Sequence, residues 1–318
     1  MYYIGVDFGG MSIKGGLVNE QGRIVFKCVV PTKPNGSSDS IADDLARLID
    51  TVIKNSSADK LQIGAIGIGF PGTTDAKNGI IRYAANVNFK DYPIVSAINE
   101  RLSCNLPILI SNDANCAALG EAMYGQKKVD NAIFVTLGTG VGTGIIIDGK
   151  VFEGFNSMGA EGGHIRLKTG GALCGCGNKG CYEAYASASA LIKQTKLAVK
   201  KHSGSILAEV SQTEGFTGKT AFIAARKNCP VAQALINRYT KYVGDGMISL
   251  LNLFGSEYII VGGGISREGD YFIKPLEEYI NRYKYGHDFY PKTKVMAASL
   301  YNDAGIIGAA ELYKSQSK

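Results

Sequence analysis

Apolar residues along this chain follow two rhythms, short continuous or alternating runs and longer stretches with a period of 3.6. Tyr2 to Asp7, Ile13 to Val18 and Ile24 to Val30 read as three strands, the last two joined by the hairpin turn Asn19-Glu20-Gln21-Gly22. Ser40 to Lys54 carries Ile41, Leu45, Leu48, Ile49 and Val52 on one helical stripe. Leu61 to Phe70 returns as a buried strand ending at Pro71-Gly72, Ile94 to Leu102 reads as a short helix, and Pro107 to Ser111 as a strand. A helix from Ala114 to Tyr124 stops at Gly125, the glycine expected just past a helix end.

The opening pattern then recurs. Asn131 to Leu137 is a strand, Gly138 to Gly144 a glycine-rich turn, Ile145 to Asp148 a strand, Gly149 a turn and Val151 to Phe155 a third strand. A strand, glycine turn, strand unit at both Asp7 and Leu137 suggests two related halves. Ala186 to Ser203 and Thr220 to Leu253 are expected to be helical, Tyr258 to Val261 to be the last buried strand, and Ala304 to Tyr313 the final helix. Strands alternating with helices predict an α/β protein of two similar domains with a cleft between them. The expected boundaries are a smaller N-terminal domain over 1–112, completed by the C-terminal helix 304–318, and a larger one over 113–303.

Composition narrows this picture. A chain of 318 residues, 45% hydrophobic and 19% charged, has enough apolar material for two cores. No apolar run approaches the roughly 18–20 residues that span a bilayer, so no membrane association is expected. The net charge of +6 is spread out, and its densest cluster (Lys193, Lys196, Lys200, Lys201) reads as a solvated helix face, so no nucleic-acid partner is expected. Glycine is the excess, at 41 residues with only 8 prolines, against about 22 at the usual ~7%. Those glycines imply tight turns that bring backbone close to a ligand.

The segment Glu161 to Glu183 holds the densest chemistry. His164 stands ten residues before Cys174, and Cys174, Cys176 and Cys181 follow as Cys-x-Cys-x4-Cys. Three thiolates and one imidazole make a closed tetrahedral set for Zn²⁺, with no position left for water, which argues for a structural metal. Seven cysteines is an odd total, and Met1 runs directly into a strand-like segment with no secretory leader. A reducing cytoplasm is expected, where clustered cysteines beside a histidine read as metal ligands. Cys28, Cys104, Cys116 and Cys229 stand singly in apolar surroundings and read as core residues.

Three glycine turns follow strands. Asp7-Phe8-Gly9-Gly10-Met11-Ser12-Ile13-Lys14 joins two strands, and its paired glycines let backbone N–H groups converge on a phosphate, with Asp7 placed to hold Mg²⁺. Gly138-Thr139-Gly140 adds hydroxyls from Thr136 and Thr139 to a second nest, without the ending of a P-loop. Gly262-Gly263-Gly264 after a buried strand suits an adenosine packed against backbone. Together the three favour nucleotide binding. Asn112-Asp113 follows one strand and precedes a helix, where either residue is a good helix cap. A carboxylate at a strand's C-terminal end is also where a general base for phosphoryl transfer belongs.

These residues together resemble the ROK family (repressor, open reading frame, kinase) of the actin-like ATPase superfamily, from Tyr3 to about Leu312. The most diagnostic match is Glu-x-Gly-His followed by Cys-x-Cys-Gly-x-x-Gly-Cys-x-Glu, met by Glu161, Gly163, His164, Cys174, Cys176, Gly177, Gly180, Cys181 and Glu183. The resemblance implies two actin-like, RNase H-like domains and an ATP- and Mg²⁺-dependent kinase acting on the 6-hydroxyl of a hexose, with glucose first among the candidates. It implies Asp113 as the base, Asn112 on the ring hydroxyls, and Glu161, His164 and Glu183 on the anomeric side. Gly72 and Asn86 match the remaining sugar-contact segments. N-acetylmannosamine, N-acetylglucosamine or a β-glucoside would serve the same motifs, and a homodimer is the family's habit. Two departures stand out: Met11 where threonine is usual, with Ser12 as a substitute hydroxyl, and Phe89 where tryptophan is common. The family also contains sugar-responsive repressors, which carry a winged helix before the first glycine turn. With that turn beginning at residue 7, a repressor is not expected. A sugar-binding protein without turnover is the third reading, motivated by Met11.

Overall fold

The structure, a computed structural model, describes residues 1–33, 36–55, 62–84, 87 and 89–316. In chain order its first part holds β1 (Tyr2–Phe8), β2 (Ser12–Asn19), β3 (Ile24–Pro31), α1 (Ser38–Asn55), β4 (Ile63–Phe70), β5 (Thr73–Asp75), β6 (Ile80–Ala84), β7 (Phe89–Tyr92), α2 (Ile94–Asn99), β8 (Ile108–Asn112) and α3 (Asp113–Tyr124). Next come β9 (Ala132–Leu137), β10 (Val141–Ile147), β11 (Lys150–Val151), α4 (Glu183–Ala186), α5 (Ala188–Lys201), α6 (Ile206–Glu214) and α7 (Thr220–Arg226). The chain ends with α8 (Pro230–Phe254), β12 (Tyr258–Gly262), α9 (Asp270–Tyr283), β13 (Lys294–Ala297) and α10 (Ala304–Gln316).

Two five-stranded sheets run in the orders β3-β2-β1-β4-β8 and β11-β10-β9-β12-β13. In the first, β2 is antiparallel to β1 and β3, while β4 is parallel to β1 and β8. In the second, β10 is antiparallel to β11, and β12 is parallel to β9 and β13. The identical strand order makes the two halves topological repeats. A small antiparallel sheet, β5-β6-β7, stands outside the repeat and leaves no mark in the hydrophobic period.

The chain divides into two compact units, one of residues 1–131, 144–160 and 299–318, the other of 132–143 and 161–298. The first therefore takes in α3, which the expected boundary at 112 assigns to the other domain. The reason lies in backbone contact with α10. A Cβ on Gly308 would stand 1.7 Å from Cys116 O, so only glycine lets the two helices approach this closely. The buried Glu121 carboxylate of α3 also accepts N–H bonds from Ser299 at 3.0 Å and Leu300 at 2.7 Å at the entry to α10.

In the core of this unit the α1 stripe (Ile41, Leu45, Leu48, Ile49, Val52) is buried beside Ile4, Val6, Ile66 and Ile68 of the sheet. Phe8, Phe70 and Phe89 form an aromatic cluster with centroids 5.6 to 6.3 Å apart, so Phe89 is a core residue. Local chemistry overrides several expectations. Gly125 ends α3 with φ −69°, not in the left-handed region; its lack of a side chain is needed because a Cβ would lie 2.4 Å from Glu121 O. The expected helix over 220–253 is two helices, broken at Asn228 (φ 58°), with Pro230 at the first turn of α8. The helices α6 and α9 and the strand β13 escaped the sequence reading. The third strand expected over 151–155 is only Lys150–Val151, because Gly154 (φ 68°) turns the chain into a 3-10 turn at Phe155–Ser157.

Candidate active site

The first unit gathers one set of candidates at the ends of its parallel strands. Asp7, on β1, pairs with Lys14 of β2, directly opposite it in register, through Oδ2 and Nζ at 2.8 Å. Gly9 N donates to Ser12 O at 3.0 Å and closes the turn, and Thr32 Oγ1 donates to Gly9 O at 2.7 Å. Gly10 has open space where a Cβ would be, and the Met11 side chain is 91% exposed. Met11 therefore stands at the turn's tip, contributing no packing.

Asn112 ends β8 and caps α3. Its Oδ1 accepts from Ala114 N at 2.8 Å and Asn115 N at 3.3 Å, and its Nδ2 donates to Gly72 O at 3.0 Å. Gly72 takes φ 89°, and a Cβ there would meet Tyr83 O at 2.2 Å. Capping and the ligand role are compatible, since Nδ2 carries a second hydrogen. Asp113 is the first residue of α3, half-buried, with Oδ1 accepting from Ala114 N at 2.8 Å. Asn86, the other expected sugar contact on this side, lies outside the described residues.

Three further side chains are joined here, and the sequence offered no sign of them. Ser111 Oγ donates to Glu153 Oε1 at 2.8 Å, and Ser157 Oγ donates to Glu153 Oε2 at 3.3 Å. Burial pushes the Cys116 thiol well above its usual pKa, and the nearby charges of Asp113, Asp7 and Glu153 push the same way. The Cys116 thiol therefore stays protonated and inert.

In the second unit the turn after β9 is tighter than expected, because β10 already begins at Val141. Gly138 N donates to Gly140 O at 3.0 Å, Thr139 is exposed, and Thr136 at the end of β9 is half-buried. Gly262 ends β12, and Gly263 (φ 80°) is needed where it is, since a Cβ would lie 2.4 Å from Leu137 O. Of the three glycines only Gly264 faces open space, so part of that triplet serves packing.

The cysteine segment folds as a miniature hairpin, with bridges between Arg166 and Cys181 and between Leu173 and Lys179. Gly180 (φ 83°) makes the tight return, where a Cβ would stand 1.7 Å from Lys168 O. Tyr182, fully buried, anchors the hairpin to α8 by donating its hydroxyl to Val243 O at 2.8 Å. One donor atom from each of His164, Cys174, Cys176 and Cys181 lies within 4.8 Å of every other. Cys176 Sγ and Cys181 Sγ are 3.7 Å apart, and Cys174 Sγ is 3.8 Å from His164 Nδ1. The edge of a tetrahedron with bonds of about 2.3 Å is about 3.8 Å, so this donor set fits a four-coordinate metal of the Zn²⁺ type. Without a metal the thiols diverge. Burial raises Cys174 to about 12, whereas the N–H of Asn178 lowers Cys176 to about 7.

Around this hairpin stand the two expected carboxylates. Glu183, at the start of α4, accepts the N–H of Val141 on Oε2 at 2.9 Å and the Cys174 thiol on Oε1 at 3.4 Å. The Glu161 side chain is open to solvent overall, yet its carboxyl stands among enough protein for desolvation to raise its pKa. The charge of Glu183 adds to that rise and His164 opposes it. The residue after Glu161 is fixed by Thr143, whose Oγ1 accepts from Gly162 N at 2.8 Å. Because Nδ1 of His164 faces Cys174, its Nε2 is the nitrogen directed away from the metal donors.

A repeated sheet carrying glycine turns at equivalent strand ends, with a metal-type hairpin beside two acids, defines a two-unit α/β protein of the phosphate-binding, polar-ligand type. The chain belongs to the ROK family, whose sequence profile matches residues 3–316. It is similar to the glucokinase of Streptomyces coelicolor, 38% identical over 314 residues that cover 97% of this chain and 96% of that one. Its fold matches the crystal structure of a ROK family glucokinase from Streptomyces griseus in complex with glucose and AMPPNP, at a TM-score of 0.82 and 35% identity, covering 98% and 99% of the two chains. It is also 31% identical to the xylose repressor of Caldicellulosiruptor bescii over 96% of this chain and 76% of that one.

Proposed function

We propose that this protein transfers the γ-phosphoryl group of ATP to the 6-hydroxyl of glucose. The observation that carries the reading is Asp113. It is a half-buried carboxylate at the C-terminal end of a parallel strand and the first turn of a helix, in a chain that aligns end to end with glucokinases. Its Oδ1 accepts the Ala114 N–H, and a carboxylate in this position can accept the proton of an attacking hydroxyl. Asn112 holds the first turn of α3 and offers its second amide hydrogen to a ring hydroxyl. Glu161, Glu183 and His164 Nε2 supply acceptors and a donor for the anomeric side. The turns Gly9–Ser12 and Gly138–Gly140 and the open Gly264 are each suited to backbone contact with a nucleotide, and Mg²⁺ would shield the phosphate oxygens of ATP.

His164, Cys174, Cys176 and Cys181 would hold a Zn²⁺ ion, which would supply a closed structural cross-link and take no part in bond breaking. The hairpin it ties fixes His164 and Glu183 in orientation. Clustered thiols of this kind support a reducing compartment, the cytoplasm, as the site of action. Among the described residues no helix is long and apolar enough to cross a membrane.

The test is ADP release with ATP and Mg²⁺ across glucose, mannose, fructose, N-acetylmannosamine, N-acetylglucosamine and cellobiose. Glucose should give the highest kcat/KM. Turnover confined to an N-acetylated sugar would reassign the substrate, and sugar binding without turnover on any of them would remove the kinase reading.

A further inference from the structure

Glu153 is joined to Ser111, which immediately precedes Asn112 and Asp113 on β8. Ser111 is fully buried, and its hydroxyl donates to Glu153 Oε1 at 2.8 Å. The other oxygen of the same carboxylate accepts from Ser157 at 3.3 Å, so one side chain ties β8 to the strap 154–160. That strap is unusual backbone. Gly154 (68°), Asn156 (51°), Ser157 (54°) and Ala160 (61°) all have positive φ, which side chains other than glycine adopt only when the surroundings compel it. It leaves Phe155 at 81% and Met158 at 61% exposed, in place of the continued strand that the apolar pattern predicted.

The turn Phe155–Ser157 lies against β5, the strand that follows Gly72, and Gly72 O is the acceptor for Asn112 Nδ2. Strap, Gly72, Asn112 and Asp113 are thus linked on one side of the first unit, with Glu153 as the group that joins them. One residue past Ala160 the chain reaches Glu161.

We propose that Glu153 is a positioning residue for phosphoryl transfer: it fixes Ser111 behind Asn112–Asp113 and clamps the strained strap that leads into Glu161, without touching substrate itself. This rests on the reading of Asp113 as the base. A strained segment relaxes when its clamp is removed, and a base displaced by a fraction of an ångström loses alignment with the attacking hydroxyl.

The experiment is a double-mutant cycle of Ser111→Ala and Glu153→Ala, with Glu153→Gln as the conservative variant, read as kcat and KM for glucose and for ATP and as Tm. A hydrogen bond to a charged group sets the scale, so each single alanine variant should lower kcat/KM for glucose about 10- to 100-fold. KM for ATP should stay within about twofold. The double variant should be no worse than the weaker single, and Glu153→Gln should recover most of the loss because its amide oxygen still accepts from Ser111. Losses that multiply in the double variant, or a fall in Tm with kcat/KM unchanged, would overturn the proposal. Asp113→Asn run alongside separates the two readings. Full activity there with a coupled Ser111/Glu153 loss removes the base and keeps the clamp. If glucose is not turned over, glucose affinity by calorimetry carries the same cycle.

Discussion

Glu183 holds Val141 and Cys174 at once, accepting the Val141 N–H on one oxygen at 2.9 Å and the Cys174 thiol on the other at 3.4 Å. Gly140 packs against the same carboxylate so closely that a Cβ would lie 2.3 Å from its oxygen. The acid therefore joins the metal-type hairpin to the turn proposed to receive phosphate. Glu183→Ala should raise KM for glucose by about tenfold or more and also raise KM for ATP, since a charged acceptor is lost from a backbone N–H. Steady-state kinetics with each substrate varied checks this. An effect on glucose alone would sever the link to the turn.

Asp113→Asn keeps the shape of the side chain and its capping oxygen but removes the proton acceptor. kcat should fall by about 10²- to 10⁴-fold, with glucose affinity within a few-fold and Tm nearly unchanged. Turnover near the wild-type rate would exclude Asp113 as the base.

In metal-stripped protein Cys176 should be alkylated first by iodoacetamide. Its pKa near 7 means that the thiolate, the reactive form, dominates as pH rises above neutrality. Cys174, raised to about 12, stays protonated and slow at the same pH. Mass spectrometry of labelled peptides across pH 5 to 9 should show a Cys176 midpoint near 7. Added Zn²⁺ should abolish the labelling, because a metal-bound thiolate is withdrawn from attack. Equal labelling of both cysteines, with or without Zn²⁺, would contradict the ligand assignment.

Met11 stands in solvent and packs on nothing, so Met11→Thr should leave Tm within about 1 °C, as for other exposed substitutions. If a hydroxyl at this turn assists phosphate binding, kcat/KM for ATP should rise. An unchanged value would show that Ser12 or the backbone already suffices.

Gly308→Ala would drive a methyl group to 1.7 Å from Cys116 O and force α3 and α10 apart. Overpacking of this kind costs ~1–3 kcal/mol, a fall in Tm of roughly 5 °C for a chain of this size. The shift of α3 should carry Asp113 with it, so activity should drop further than Tm suggests. A stable, fully active variant would show that the helices tolerate separation.

The elements that the sequence made legible are those whose cause lies in neighbouring residues. The α1 stripe is visible because a helix repeats every 3.6 residues, and the buried runs of β4 and β12 because a covered strand must be apolar on both faces. The Cys/His hairpin is equally local: its four candidate donors and the glycines that let the chain turn all lie between His164 and Cys181. The strand expected over 151–155 stops at Val151: Val151 to Phe155 satisfies the strand pattern, while the Glu153 carboxylate beside it has its partner 42 residues earlier. The helix α9, with Pro275 inside it, was missed because an internal proline argues against a helix wherever tertiary packing does not override it.

By itself the sequence determined the α/β class, the two glycine-turn repeats and the clustering of His164 with Cys174, Cys176 and Cys181, each encoded by spacing within a few turns or one short loop. Only the tertiary structure decided that α3 belongs with the first unit, that Glu121 holds Ser299 from 178 residues away, and that Glu153 lies behind the proposed base. Local propensity acts over a few residues, whereas such partners are chosen by which surfaces the packed sheets and helices bring together.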